Sequence, residues 1–220
     1  MAFNLKRFET EAEWLKAREG YIGGSDAACI IGLNPWKSNL ELWREKTGRK
    51  APDDLHGNAA VEFGKAAEEH LRELFALDYK ERGIRVDYAP FNFWTNTEYP
   101  WAHASLDGWL MEYDTGKKGI FEAKTATINS AAQAEKWRNG IPQNYVCQLL
   151  HYFAVTGADF AILTAYLRYA FEGEEIDAKV NRYRIEREQV KEQIDYLMKK
   201  EREFWEHVKN DTEPPLFLNI

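Results

Sequence analysis

Glu122 and Lys124 stand two residues apart in the stretch "GIFEAKTA", Gly119 to Ala126, whose other members are mostly small or apolar. The stretch reads as a short β-strand. Strand side chains alternate between faces, so Ile120, Glu122 and Lys124 share one face, and Phe121, Ala123 and Thr125 share the other. A carboxylate and an ammonium side by side suit an edge strand with a solvated ion pair, which contributes little to stability. The strand alone favours that plain reading over a site where both groups meet one phosphate. Two further acids favour the second use. Asp107, in "ASLDGW", ends a segment that can form a hairpin with this strand and so can lie beside Glu122. Its Asp-Gly pair could itself be a turn, but "DTGKKG" is the better turn, and Trp109, Leu110 and Met111 continue as strand. Glu68 falls between Gly64 and Leu71, at the margin of the apolar stripe of a long helix. A carboxylate leaning into a core needs a partner, either a basic side chain or a metal ion.

An Asp, a Glu-x-Lys on the next strand and an acid on an earlier helix suit metal-dependent phosphodiester cleavage. Hard oxygen ligands favour Mg²⁺, with Mn²⁺ as a substitute. Such an ion polarises the phosphate and acidifies a water. The lysine can position that water and offset charge on the phosphorane.

The elements that must hold these residues follow from patterning. "TEAEWLKAREG" opens with Thr10 and Glu13 in capping-box spacing and runs helically to Gly20. In "GGSDAACIIG", Ser25 is the expected N-cap of a short apolar helix that stops at Gly32. "NPWKSNLELWREKTGRK" is a turn and a helix with a basic end, and "DDLHGN" is a loop. A helix is expected over Ala59 to Tyr79, with Val61, Gly64, Ala67, Leu71, Leu74 and Phe75 at near-helical spacing. Strand-like pieces run from Ile84 to Tyr99, followed by the hairpin. Pro142 starts a helix that ends at Gly157. "DFAILTAYL" and "KVNRYRIE" are strands, and a last helix spans Arg187 to Val208, burying Val190, Ile194, Leu197, Phe204 and Val208. The order predicts an α/β (α+β) fold with a central mixed sheet flanked by helices, in one domain over residues 1–220.

The composition agrees with a folded enzyme. The chain has 220 residues, 45% of them hydrophobic, with eight Trp, so it can bury a real core. Its net charge of -7 argues against a protein that coats nucleic acid. It permits an enzyme with one positive groove inside an acidic exterior. Cys29 and Cys147 form no zinc or redox motif and are expected as buried free thiols. No apolar run is long enough to span a bilayer. The N-terminus has no apolar core of a secretory signal. A cytoplasmic protein without membrane attachment is expected.

Five blocks, in order, resemble the lambda-exonuclease/YqaJ viral recombinase nucleases of the PD-(D/E)xK superfamily: "WLKAREGYIGGSDAACIIGLNPW", "EFGKAAEEHLRELF", "ASLDGW", "FEAKTA" and "YVCQLLHYFAVTG". Together they cover about Trp14 to Gly157. The resemblance implies that Asp107 and Glu122 are metal ligands, with the backbone carbonyl of Ala123. It implies that Glu68 helps hold the metal site and that Lys124 is the catalytic lysine. A pocket for a 5′-phosphate would use Arg18, Ser25 and Ser105. Lys37 and Arg44 are candidates for further backbone phosphates. Relatives often carry Q-x-Q in the helix after the site. Here Gln148 stands first and Leu150 replaces the second glutamine. His151 is expected to be an ordinary helix-surface or core histidine.

The resemblance further implies a Mg²⁺-dependent 5′→3′ exonuclease acting on ends of linear double-stranded DNA. It would leave 3′ single-stranded tails for recombination, beside a single-strand annealing protein. A trimeric ring and a phage or prophage origin in a bacterial host are implied as well. An endonuclease or single-strand nuclease could use the same core, and a non-catalytic DNA-binding scaffold could retain the fold. A scaffold has no need to keep Asp107, Glu122 and Lys124 charged on one face. A small-molecule metallohydrolase would call for a His-rich ligand set.

Overall fold

The computed structural model describes residues 3–54, 57–171 and 174–217. The first strand, β1 (Phe3–Arg7), is absent from the sequence expectation because most of its residues are exposed. α1 (Glu11–Glu19) starts where Thr10 accepts from the Glu13 amide at 3.3 Å. α2 (Gly24–Ile30) is capped by Gly23, which corrects the expected Ser25 cap. The carboxylate of Asp26 reaches back to accept from the Gly23 amide at 3.0 Å, and Lys46 holds that carboxylate at 2.9 Å. Ser25 therefore lies in the first turn and is exposed. α3 (Asn39–Lys46) begins with a Ser38/Glu41 capping box. α4 covers the expected Ala59–Tyr79 and is capped by Asn58. The expected "DDLHGN" loop includes Leu55 and His56, which lie outside the described residues.

The strand region from Ile84 onward divides into β2 (Ile84–Asp87) and β3 (Asn92–Asn96), which join different sheets. Next come β4 (His103–Ala104), β5 (Gly108–Glu112) and β6 (Lys118–Ile128). β5 and β6 form the expected hairpin, with Gly108 opposite Phe121. α5 (Ala131–Arg138) escaped the sequence expectation because only Trp137 of its face is buried. α6 (Gln143–Thr156) follows Pro142 and ends at left-handed Gly157, as expected. β7 (Phe160–Phe171), β8 (Glu174–Glu186) and α7 (Lys191–Lys209) complete the chain order.

The main sheet is five-stranded and mixed, in the order β2-β5-β6-β7-β8, and β1-β3-β4 form a second sheet. Only the β6–β7 pairing in the main sheet is parallel. β6 is thus a central strand, which overturns the edge-strand alternative. One apolar layer packs Ile120, Leu163 and Leu167 with residues of α2, α6 and α7. The opposite layer packs Phe121 and Ala123 with Leu71 and Phe75 of α4. The close fit of α2 on α6 needs Gly24, where a Cβ would come within 2.4 Å of the Tyr152 ring. Cys29 and Cys147 are buried free thiols. No helix among the described residues is long and apolar enough to cross a membrane.

The ladder between β5 and β6 starts at Gly108–Phe121, while β6 runs on to Ile128. Beyond Phe121, one edge of β6 faces no strand among the described residues. This split in the sheet is where the charged residues gather.

Candidate active site

Asp107 lies in the split, one residue before β5. Its Oδ2 accepts from the Ala123 amide at 2.9 Å, taking the place of a missing strand partner. The N–H and C=O of one strand residue point to the same edge, so the Ala123 carbonyl opens into the split as well. Glu122 is only 1% exposed. Its Oε1 accepts from Lys124 Nζ at 2.6 Å and from Gln148 Nε2 at 2.7 Å. Its Oε2 is buried without a hydrogen-bond partner among the described residues. Glu68 approaches from α4 and is half-buried.

The charges confirm how close these groups are. Burial pushes Glu122 up to about 8, and repulsion from Asp107 adds to the rise, with Lys124 offsetting part of it. Burial and then Asp107 push Glu68 up to about 7. Burial also raises Asp107, against the pull of Lys124, the Ala123 amide and Arg72. For Lys124 burial acts to lower the pKa, but Glu122 and Asp107 outweigh it and hold the ammonium above its ordinary range. Three carboxyls therefore share too little positive charge to ionise together at neutral pH.

That deficit fits a divalent cation. Among the described residues no three acidic, histidine or cysteine side chains already converge at coordinating distance. Yet the orphaned Glu122 Oε2 is a buried acceptor without a donor, which normally demands an explanation. Asp107, Glu122, the Ala123 carbonyl and Glu68 are hard oxygen donors, the kind of group that would hold a hard divalent cation.

The expected phosphate pocket is brought together only in part. Arg18 stacks on Trp14 with 4.3 Å from its guanidinium to the ring. Trp14 Nε1 donates to Ser105 Oγ at 3.1 Å, which links Arg18 to Ser105. Ser25 follows Gly24, whose backbone sits against Tyr152, and Tyr152 OH donates to the Ser105 carbonyl at 3.0 Å. Gln148 is more central than its broken Q-x-Q pattern implies, because it contacts Glu122 directly. Lys37 lies apart from the carboxylates. Glu45 holds it at 2.7 Å on the wall of a groove of about 900 Å³ between the α2–α3 loop and the start of α6.

Three positions around the site have no place in the sequence expectation. Arg72 donates to the Asp107 carbonyl at 2.9 Å, and Tyr152 accepts from Gln148 at 2.9 Å. Each lies four residues after a predicted site residue on the same helix, a spacing that places side chains on one face. Asn92 is buried and clasps both the amide and the carbonyl of Leu106, at 2.8 and 2.9 Å. Nothing in its local sequence marks it.

A central mixed sheet flanked by helices carries Asp107, Glu122 and Lys124 together at its split. The family model for the YqaJ-like viral recombinase domain matches residues 13–159, so the chain belongs to that family. The uncharacterized protein YqaJ of Bacillus subtilis (strain 168) is 34% identical over 194 residues, covering 88% of this chain and 54% of that one. The chain thus spans about half the length of that curated relative. The alkaline exonuclease LHK-Exo from Laribacter hongkongensis has a similar fold, with a TM-score of 0.64 at 20% identity over 91% of this chain and 93% of that chain. LHK-Exo in complex with dAMP gives 0.62 at 21% identity over 90% and 95% of the two chains. Nucleases of this kind generally use divalent metal ions.

Proposed function

We propose that this protein is a Mg²⁺-dependent exonuclease that degrades one strand of linear double-stranded DNA in the 5′→3′ direction. The observation that carries the proposal is Glu122: a buried carboxylate with one oxygen unpartnered, beside Asp107, Glu68 and a lysine. Hydrolysis breaks the P–O3′ bond, releasing a mononucleotide and leaving a 5′-phosphate on the shortened strand. Asp107, Glu122, the Ala123 carbonyl and Glu68 would hold a Mg²⁺ ion, which would supply Lewis-acid activation of the phosphate when bound. Lys124, fixed by Glu122, orients the attacking water and offsets charge on the phosphorane. Arg18, Ser25 and Ser105 grip the terminal phosphate. The family resemblance supports 3′ tails as the product, a single-strand annealing protein as partner, a trimeric ring as the working form, and a phage or prophage protein acting in a bacterial cytoplasm.

The test compares 5′-phosphorylated linear, 5′-hydroxyl linear and circular duplexes, with and without Mg²⁺. Digestion of the phosphorylated linear form alone, only with Mg²⁺, is expected. Rapid cutting of the circle would make the protein an endonuclease.

Lys124→Ala should lower turnover by about 10²- to 10³-fold, the usual loss when one donor aimed at developing transition-state charge is removed. Mn²⁺ binding should weaken far less. Single-turnover kinetics with isothermal titration separate the two, and equal rates in variant and parent would remove Lys124 from the mechanism.

Arg18→Ala should narrow the rate gap between phosphorylated and hydroxyl ends. An arginine binds a terminal phosphate through a charge-assisted fork, and that phosphate carries more charge than an internal one. Fewer nucleotides should also be removed per encounter, because each cut regenerates the gripped group. The comparison needs fixed salt, since contacts such as those of Arg44 weaken as salt rises. An undiminished preference for the phosphorylated end would place the pocket elsewhere.

A further inference from the structure

Asp107 is reached by a stretch of chain that has little ladder of its own. β4 has two residues, and Ser105 to Asp107 belong to no strand. Side chains from elsewhere hold this stretch one carbonyl at a time. His151 Nε2 lies 2.8 Å from the His103 carbonyl, Tyr152 holds that of Ser105, Asn92 that of Leu106, and Arg72 that of Asp107. Two of these four come from α6, the helix whose Gln148 also donates to Glu122. The positions of Asp107 and Glu122 are therefore both referred to α6.

His151 is in turn held by α7. Its Nδ1 lies 2.8 Å from Oε1 of Glu201, and both side chains are completely buried. The chemistry of the partners fixes the proton. A carbonyl only accepts, so Nε2 must carry a hydrogen and donate to His103 O. Nδ1 then faces a carboxyl oxygen, and one further proton must lie between them. It makes either an imidazolium with a carboxylate or a neutral ring with a carboxylic acid. In both forms Glu201 leaves the Nε2–H aimed at His103. Without Glu201, a neutral imidazole can place its single hydrogen on Nδ1 and turn a lone pair toward the carbonyl.

Stability does not explain the pair. A buried ion pair seldom outperforms an apolar pair of the same volume, and Glu201 Oε2 has no hydrogen-bond partner among the described residues. A directional donor at His103 is what an apolar pair could not supply.

We infer that Glu201 is a positioning residue which, through His151, fixes the His103–Asp107 segment and with it the spacing between Asp107 and Glu122. The inference rests on the proposed metal-dependent nuclease function. Neither Glu201 nor His151 touches substrate or metal in this role.

Glu201→Leu and Glu201→Gln separate positioning from packing. Leucine fills the space but cannot orient the ring. Glutamine can turn its amide to donate to Nδ1 and so keep Nε2–H on His103. Glu201→Leu leaves His151 Nδ1 buried without its partner and should melt below the parent while still folding. Its backbone amide resonances at residues 103–107 should shift, and Mn²⁺ should bind more weakly by up to about tenfold, the lower end of the loss seen when a partner bonded directly to a metal ligand is removed. Turnover should fall by a similar factor with KM for DNA little changed. Glu201→Gln should restore all of these. Parent-like amide resonances and Mn²⁺ affinity in Glu201→Leu would overturn the inference, as would a Glu201→Gln variant as impaired as the leucine variant. The resonances and Mn²⁺ titration do not depend on cleavage. A parent that binds Mn²⁺ and cuts no DNA would overturn the nuclease function while those two readouts still decide the role of Glu201.

Discussion

Replacing Asp107 or Glu122 by alanine should abolish metal-dependent digestion, lowering turnover by on the order of 10³-fold or more, with the protein still folded. Lewis-acid stabilisation amounts to several kcal/mol of the barrier, and each 1.36 kcal/mol is about tenfold in rate. Removing one ligand from a hard-cation site loses both affinity and geometry. The two substitutions differ in their structural side effects. Glu122→Ala takes their common acceptor away from Lys124 and Gln148, and so leaves a buried ammonium without its partner. Asp107 also satisfies the Ala123 amide. Alanine there leaves a buried donor unpaired, at a cost of about 1–3 kcal/mol. Asp107→Asn keeps an acceptor for that amide and removes the charge, so it isolates the metal role. Digestion of a labelled linear duplex, thermal melting and Mn²⁺ titration together give the answer. Parent turnover by Glu122→Ala or Asp107→Asn would sink the assignment of this site.

Much of the site is legible in the sequence because its parts are local. Glu122 and Lys124 share a face by strand alternation, and Asp107 meets them through a hairpin whose turn is plain. Glu68 is placed by helical periodicity. The remainder depends on contacts distant in sequence. Asn92 reaches Leu106, and Trp14 reaches Ser105 from the first helix. Glu201 meets His151 across fifty residues, so His151 looks ordinary until the two helices are packed. β1 was invisible for a different reason. It is a largely exposed strand that needs β3 to define it, and propensity alone does not mark such strands. The expected Ser25 cap fails at the finest level, where the helix starts one residue earlier at Gly24 and Asp26, held by Lys46, reaches back to the Gly23 amide. The central mixed sheet and the carboxylate trio follow from pattern, while the strand order and the hydrogen bonds that fix the site's geometry follow from tertiary packing.

The metal-free protein should lose stability as pH rises from about 4.5 to about 8, and Glu122→Gln should remove most of that loss. Glu122 shifts from 4.5 in the unfolded chain to about 8 in the folded one. Glu68 shifts from 4.5 to about 7. Below the unfolded values both states hold these protons, and the groups cost nothing. Between the two values the unfolded chain has released protons that the folded protein keeps, so stability falls with pH. Above the folded values the carboxylates are charged in both states, and the loss is complete. For Glu122 the loss is on the order of a few kcal/mol. Other groups titrate in the same range, so the informative quantity is the difference between parent and Glu122→Gln across pH. A divalent cation reverses the balance, because it binds the ionised oxygens and must displace the retained protons. Mn²⁺ affinity should therefore climb between pH 6 and pH 8 by up to about tenfold per unit for each proton released, and DNA digestion should climb with it. Titrations in two buffers of different ionisation enthalpy count those protons directly. A Mn²⁺ affinity that stays flat from pH 6 to pH 8, with no proton release, would mean that the ion does not bind at Glu122 and Glu68.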